Sequence, residues 1–160
     1  MRRIAVLGCI VGLGLLVAGC SFGSKEPPLG NWQPALSPDG TTIAFASPGT
    51  KGFEIYTQSL ATGERRRLTE NEVDDWSPSW SPQGDRLVVV SNREKNVDLY
   101  VLQLDTLAVT RLTSDAGDDV NPTWGANGKI LFDSNRSGSW EIYMIDPTGE
   151  NLTKVTGTAG

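Results

Sequence analysis

Charged residues that recur at one interval are the part of this 160-residue sequence best suited to binding chemistry. Two acidic pairs and two arginines repeat with a spacing of 43 or 44 residues. The set is Asp74, Asp75, Arg93, Asp118, Asp119 and Arg136. An acidic surface of this kind can bind a basic segment of a partner, and complementary charge sets the rate and orientation of association more than its affinity. We therefore predict a partner-binding role for these six residues. The alternative is that they solvate loops and bond the local backbone.

Carboxylates placed together also suit Ca²⁺, which prefers oxygen ligands. The Asp-x-Asp-x-Asp-Gly spacing of a dedicated calcium loop does not occur in the sequence. We therefore predict no resident metal and no cofactor. A ligand- or calcium-binding surface is kept as an alternative function.

Catalysis and nucleic-acid binding are both disfavoured by composition. The sequence has no histidine to act as a general base, and it lacks the Gly-x-Ser-x-Gly motif of a hydrolase nucleophile. Its net charge is −5, whereas a protein that binds nucleic acid needs positive charge to neutralise phosphates. We therefore predict a protein that is not an enzyme and does not bind nucleic acid.

The first twenty residues have the pattern of a secretion signal. Arg2 and Arg3 precede an uncharged apolar run from Ile4 to Ala18, which is short for a membrane-spanning helix. The run ends in Val-Ala-Gly-Cys, which resembles the lipobox of bacterial lipoproteins. The resemblance implies a signal peptide over residues 1–19, cleavage before Cys20 and lipid on the Cys20 thiol. Residues 20–30, rich in Gly and Pro, are then a lipidated tether.

The lipid anchor predicts a location in the cell envelope. Ser21 follows the cysteine, where lipoproteins retained at the inner membrane tend to have Asp. The expected site is the outer membrane, facing the periplasm, in a Gram-negative cell. In a cell without an outer membrane it is the outer face of the cytoplasmic membrane.

An internal repeat of about 44 residues organises the rest of the chain. Five features recur in phase through three copies. They are Pro34, Pro78 and Pro122; Gly40, Gly84 and Gly128; Tyr56, Tyr100 and Tyr143; the acidic residues Glu54, Asp98 and Glu141; and the pairs Leu68-Thr69, Leu112-Thr113 and Val155-Thr156. Each copy holds four short segments of strand type separated by turn residues. The repeat therefore predicts an all-β fold of three four-stranded β-propeller blades, over about residues 31–73, 74–117 and 118–160.

The meander of each blade places alternate connections on opposite sides. The loops after the second and fourth strands emerge on one rim, and the turns after the first and third strands emerge on the other. This arrangement predicts that the acidic pairs and the arginines share one rim. The repeated Trp, Tyr and aliphatic residues are predicted to form the core. The run Arg65-Arg66-Arg67 is predicted to be a charged outer edge that discourages strand pairing, with anionic lipid headgroups as an alternative target.

The repeat resembles the C-terminal β-propeller of the TolB family. The resemblance rests on Leu36-Ser37-Pro38-Asp39-Gly40, on Trp80-Ser81-Pro82-Gln83-Gly84, on the Ile/Leu-Tyr pairs and on Arg-Leu-Thr. It implies a non-catalytic scaffold that binds an envelope protein, as TolB docks peptidoglycan-associated lipoprotein. The repeat is also similar to the propellers of prolyl oligopeptidase-type hydrolases. A lactonase-like propeller enzyme is the least favoured alternative.

Three blades are fewer than a closed propeller needs, which is about four to eight. The resemblance implies a six-bladed ring, of which this chain would supply half. We predict that two copies pair head to tail to complete it. The alternatives are a different partner that supplies the missing blades, and a lone arc or truncated fragment of three blades.

Overall fold

The computed structural model describes residues 30–157. The predicted signal peptide, Cys20 and the tether before Gly30 lie outside this range. The described part of the chain forms twelve strands. They are β1 (Trp32–Leu36), β2 (Thr42–Pro48), β3 (Phe53–Ser59), β4 (Arg65–Arg67), β5 (Asp75–Trp80), β6 (Arg86–Ser91), β7 (Asp98–Gln103), β8 (Val109–Arg111), β9 (Asp119–Trp124), β10 (Ile130–Ser134), β11 (Glu141–Ile145) and β12 (Thr153–Lys154).

The strands form three separate antiparallel sheets of four, each in sequence order. We name them blade 1 (β1 to β4), blade 2 (β5 to β8) and blade 3 (β9 to β12). Each sheet lies within one predicted repeat. The three sheets do not close into a ring. The predicted all-β fold of three four-stranded blades is therefore confirmed.

Tight turns between the first and second strands explain the repeated glycines. Gly40, Gly84 and Gly128 have φ of 72°, 73° and 81°, in the left-handed region that glycine adopts without a steric penalty. In blade 2 the Ser81 hydroxyl donates to Asp85 over 2.7 Å and accepts from the Arg86 N–H over 3.1 Å. The hydroxyl thereby ties both sides of the turn together.

The hydrophobic core lies between the sheets in two clusters. The first joins Ala44, Ala46 and Ile55 of blade 1 to residues of blade 2 that include Trp80 and Tyr100. The second joins blade 2 to blade 3 in the same way, and its members are Val88, Val90, Leu99, Val101, Trp124, Ile130, Phe132, Tyr143 and Ile145. Trp80 and Trp124 are only 9% and 7% exposed, so the predicted core role of the repeated tryptophans is confirmed. Full burial of one Val or Leu side chain contributes about 1.5–3 kcal/mol.

The first strand of every blade carries a bulge at the residue before its proline. Gln33, Ser77 and Asn121 have φ of 50°, 49° and 52°, and the strand register shifts at each of them. Positive φ is uncommon for residues other than glycine, and proline disfavours helical backbone at the preceding residue. At the bulge of blade 2, the backbone N–H bonds a side chain of blade 1. Gln33 Oε1 accepts a hydrogen bond of 2.8 Å from the Ser77 N–H.

Within residues 30–157, the structure contains no helix long and apolar enough to cross a membrane.

Candidate functional site: the rim of the blades

Five loops emerge on one side of the three blades, because every sheet is an antiparallel meander. These rim loops are residues 49–52, 68–74, 92–97, 112–118 and 135–140. Loops held on a rigid sheet scaffold are common positions for binding residues. All six predicted partner-binding residues lie in the rim loops or directly beside them.

Asp75 and Asp119 differ from the prediction, which placed them in rim loops. Each is the first residue of an innermost strand, β5 or β9, and each is 0% exposed. Arg93 Nη2 donates to Asp75 over 2.9 Å, and Arg136 Nη2 donates to Asp119 over 2.8 Å. A buried charge is costly unless it is paired, and the arginine supplies that pairing in both blades. These two carboxylates therefore hold the arginines of the rim loops in place.

The guanidinium groups of Arg93 and Arg136 are also fixed by aromatic rings and hydroxyls. Arg93 lies 4.6 Å from the centre of the Tyr100 ring, and Arg136 lies 4.9 Å from that of Tyr143. Cation–π contacts of this kind contribute about 0.5–1 kcal/mol at exposed sites and more when desolvated. Both arginines accordingly orient the loops that follow the second strand of their blades.

Blade 1 has no equivalent of this charged pair. The corresponding positions hold Asn31 and Gly49. Gly49 instead lies against Glu54, where an added Cβ would stand 2.5 Å from Glu54 Cγ. The rim of blade 1 is therefore built differently from the rims of blades 2 and 3.

Asp74 and Asp118 lie in the rim loops, as predicted, and both are half-buried. Their backbone N–H groups donate to Asn92 and Asn135, over 2.9 and 2.8 Å. The Asp74 carboxylate also accepts from the Phe53 N–H of blade 1 over 2.9 Å. The Asp–Asn link repeats in both blades and joins neighbouring rim loops. The partner-binding role of all six residues stays a prediction.

A second buried acidic position, which the sequence analysis did not assign to a role, connects the third and fourth strands. In blade 1, Glu54 accepts from Arg67 over 3.0 Å and from the Thr69 hydroxyl over 2.5 Å. The Thr69 oxygen in turn accepts from the Ile55 N–H over 2.9 Å. Blade 2 repeats this arrangement with Asp98, Arg111 and Thr113, and blade 3 repeats it with Glu141, Lys154 and Thr156.

This buried triad explains two of the recurring sequence features at once. The acidic residue two positions before each Tyr supplies the carboxylate of the triad. The Arg-Leu-Thr pattern supplies its cation and its threonine hydroxyl. Burial raises the pKa of Asp98, and the opposing hydrogen bond from Arg111 does not cancel that effect. The acid and the Arg/Lys-x-Thr pattern have the same spacing in all three repeats. This spacing could have predicted the contact between the acid, the cation and the threonine from the sequence.

The outward-facing charges of the rim are a different set of acids from those predicted. Glu70 and Glu72 have side chains that are 84% and 74% exposed, and Glu94 is also exposed. Glu70 lies 3.4 Å from Arg67, and Glu72 pairs with Lys51. Trp140, in the last rim loop, is 52% exposed. A partner that approaches the rim would contact these side chains before it reached Asp75 or Asp119.

Among residues 30–157, no group of three or more Cys, Asp or Glu side chains is arranged to hold a metal ion.

Sheets of four antiparallel strands, repeated every 43 or 44 residues and packed face to face, define blades of a β-propeller. The family model of the TolB beta propeller domain matches residues 24–160, and the chain belongs to that family. The family expected from the sequence is thereby confirmed.

Similar proteins include TolB chains from several bacteria. The Tol-Pal system protein TolB of Methylococcus capsulatus is 49% identical over 47 residues, which are 29% of this chain and 10% of that protein. The putative TolB of Agrobacterium tumefaciens is 24% identical with a TM-score of 0.73, over 83% of this chain and 50% of that one. The TolB of Acinetobacter baumannii is 25% identical with a TM-score of 0.70, over 81% of this chain and 33% of that one. This chain therefore spans half or less of the length of these relatives.

The same blades occur in enzymes. A puromycin hydrolase structure matches with 22% identity and a TM-score of 0.66, over 79% of this chain and 22% of that one. A likeness at this level of identity concerns the fold alone. Function must therefore be argued from the rim itself.

Proposed function

We propose that the protein is a non-catalytic scaffold of the cell envelope that binds a protein partner through its rim loops. In this proposal lipid on Cys20 anchors it, at the outer membrane facing the periplasm or at the outer face of the cytoplasmic membrane. Membership of the TolB family and the similarity to a Tol-Pal system protein support an envelope role.

The observation that carries the proposal is the fixed geometry of the rim loops. Asp75–Arg93 and Asp119–Arg136 pair at the strand ends, and Asp74–Asn92 joins two adjacent loops. Ordering a loop at the moment of binding costs free energy, so a surface that is already ordered binds more tightly for the same contacts.

The exposed acids of the rim favour a partner segment with positive charge. Glu70, Glu72 and Glu94 extend outward from two adjacent loops. Opposite charges across an interface speed association and orient the partner, and salt weakens that effect. We expect a basic segment of an envelope protein to dock here, and a Pal-type lipoprotein from the same cell is the first partner to test.

A non-catalytic role is supported by the side chains available at the rim. The sequence contains no histidine, and the rim carboxylates of Asp75 and Asp119 are committed to arginines. A general base must be free to take a proton from a substrate. The likeness to puromycin hydrolase does not supply one, because it concerns the fold of the blades.

Charge reversal at the rim tests the proposal. The triple variant Glu70→Lys, Glu72→Lys, Glu94→Lys should weaken binding of a basic partner at least about tenfold at low salt, with less difference at high salt. The measurement is titration of the purified partner against the full-length chain by fluorescence anisotropy at two salt concentrations.

The matched control reverses the same number of exposed acids on the opposite side of the blades. Glu64→Lys, Asp105→Lys, Glu150→Lys changes the net charge equally and should leave the affinity unchanged. If both triple variants weaken binding to the same degree, overall charge rather than the rim is responsible, and the proposal is wrong.

A further inference from the structure

Within residues 30–157, no other blade packs on one side of the blade 1 sheet, which we call the leading face. Its members are Trp32, Leu36, Ile43, Phe45 and Tyr56. Trp32 and Leu36 are 45% and 58% exposed, although both are large apolar side chains. Trp32, Ile43 and Phe45 together line a shallow depression on this side.

In the part of the chain that the structure describes, no blade packs on the opposite side of the blade 3 sheet, which we call the trailing face. Its members are Leu131, Trp140, Ile142, Met144 and Val155. Leu131 and Ile142 are each 39% exposed, Trp140 is 52% exposed and Val155 is 53% exposed. A patch of exposed apolar residues on a soluble domain commonly marks an interface.

The two open faces repeat the two halves of the interface between blades. The counterparts of Leu36 in the repeat are Trp80 and Trp124, which are 9% and 7% exposed. The counterparts of Leu131 and Ile142 in blade 2 are Val88 and Leu99, which are 0% exposed because blade 3 covers them. Leading residues therefore pack against trailing residues at both internal interfaces, and the same two sets of positions stand open at the ends.

We infer that the leading face of one copy packs against the trailing face of a second copy. The argument for a second copy is that the internal interface would be repeated. The trailing face of blade 2 binds the leading face of blade 3 through aliphatic residues, and the trailing face of blade 3 has aliphatic residues at the same positions. Trp140 holds the position of Phe53, which lies in the first core cluster with Trp76 packed against it. Trp32, the counterpart of Trp76, is the residue expected to meet Trp140 across the new interface.

Two copies of the three described blades together supply six blades. Six lies within the range of about four to eight blades found in closed propellers. Two copies related by a two-fold axis therefore form a ring with two identical new interfaces. All rim loops of both copies then lie on one side of the ring.

Three polar side chains at the open faces indicate a reversible assembly. Gln58 and Asp133 replace apolar residues of blade 2, Leu102 and Val90, at the corresponding positions. Arg65 covers part of the leading face, with its guanidinium 3.9 Å from the centre of the Tyr56 ring. The new interface is accordingly less apolar than the internal ones, and concentration should control its formation.

The test is sedimentation velocity of the full-length chain in mild detergent over a range of concentrations. We expect the protein part to sediment at twice the mass of one chain at high concentration and to dissociate on dilution. Leu36→Arg on the leading face and Ile142→Arg on the trailing face should each weaken the dimer at least about tenfold, because each buries an unpaired charge. Val155→Arg is a second trailing-face variant, at a more exposed position, in case Ile142→Arg does not fold.

A control and a mixture make the test specific. Leu60→Arg changes an equally exposed leucine in the turn before β4, outside both faces, and should leave the dimer intact. The rim triple variant should also leave it intact, so failure of this inference and failure of the proposed function are separate results. An equal mixture of the Leu36→Arg and Ile142→Arg chains should associate more tightly than either alone, because one of its two interfaces is undamaged.

Three outcomes would overturn the inference. They are a wild-type chain that stays monomeric at the highest concentration, a dimer that neither face variant weakens, and a dimer that Leu36→Arg breaks but the trailing-face variants do not. The last pattern would mean that two leading faces bind each other. Near-ultraviolet circular dichroism of each variant confirms that it remains folded.

Discussion

At the scale of single residues, a triad of acid, cation and threonine joins the third and fourth strands of each blade. Each blade places a carboxylate between the third and fourth strands, and in blades 1 and 2 it is 0% exposed. A buried ion pair is weak evidence for net stabilisation, because desolvation opposes the attraction. The threonine of the triad has a clearer contribution, since its hydroxyl bonds both the carboxylate and a backbone N–H of the third strand. Each triad thus fixes the register of a short fourth strand.

Removal of the threonine hydroxyl should cost stability in proportion to burial. Thr69→Val and Thr113→Val each leave a buried backbone N–H without its acceptor, which costs about 1–3 kcal/mol. Thr156→Val changes the same contact at an exposed position, and its cost should stay below about 0.5 kcal/mol. Urea unfolding of the three variants measures the difference. Equal losses at all three positions would contradict this account.

Asp98 and Asp85 should respond to acid in opposite directions. Burial raises the pKa of Asp98 above 3.8, so its contribution to stability is fully present below pH 3.8 and is lost as the pH rises through its folded-state pKa. The hydrogen bond from Ser81 lowers the pKa of Asp85, so its contribution is present above pH 3.8 and is lost as the pH falls through its folded-state pKa.

Variants isolate these two contributions. As the pH falls from about 7 to about 3, the free energy of unfolding of the wild type minus that of Asp98→Asn should increase. The corresponding difference for Asp85→Asn should decrease over the same range. Urea titrations of all three proteins at each pH give both differences. Parallel slopes for the two variants would show that neither carboxylate titrates as described.

At the scale of strands, the innermost strands carry strain at a fixed place. Gln33, Ser77 and Asn121 all have positive φ directly before a proline. Left-handed backbone costs about 1–2 kcal/mol for a residue with a Cβ, and it is retained here in all three blades. The bulge allows the Gln33 side chain to reach the Ser77 N–H of the next blade. The strained backbone is therefore part of how one blade fixes the next.

A β-branched residue at the bulge should be poorly tolerated. Asn121→Val places a stiff side chain at a φ of 52° and removes the 2.9 Å bond to Asp133, so we expect a loss of about 1–2 kcal/mol. Thr123→Val, two residues later in the same strand, changes an exposed side chain and should be nearly neutral. Differential scanning calorimetry compares the two. A neutral Asn121→Val would mean that the bulge is not strained.

Many of the strands were predictable from the sequence. The predictions that were wrong, such as the placement of the acidic pairs in loops, have a physical cause. The continuous Leu-Val-Val-Val run predicts a strand from Arg86 to Ser91, which are the observed bounds of β6. The acidic pairs read as loops because Asp is rare in strand interiors and common in turns. Asp75 nevertheless starts β5, because Arg93, eighteen residues away in the sequence, neutralises it in a buried position. Local patterns carry no information about such a distant partner.

At the scale of the whole molecule, the described part of the chain behaves as a short linear array. Blade 2 packs against both neighbours, and each outer blade packs against one. The stability of such arrays is roughly a sum of units and nearest-neighbour interfaces. The number of blades and the family followed from the 44-residue period. The exposed side chains of the two end faces did not, because their exposure depends on how the blades pack against each other.

The direction of β1 determines which side of the blades a lipid on Cys20 would hold nearest the membrane. The first strand starts at Trp32 on the rim side and runs toward the turn at Ser37 on the opposite side. A lipid on Cys20 would thus hold the protein by its rim, through the ten residues from 21 to 30. An extended chain of that length reaches at most about 36 Å. A partner anchored in the same bilayer would be confined to a similar distance from the membrane. Its local concentration at the rim would therefore be far above its average in the envelope.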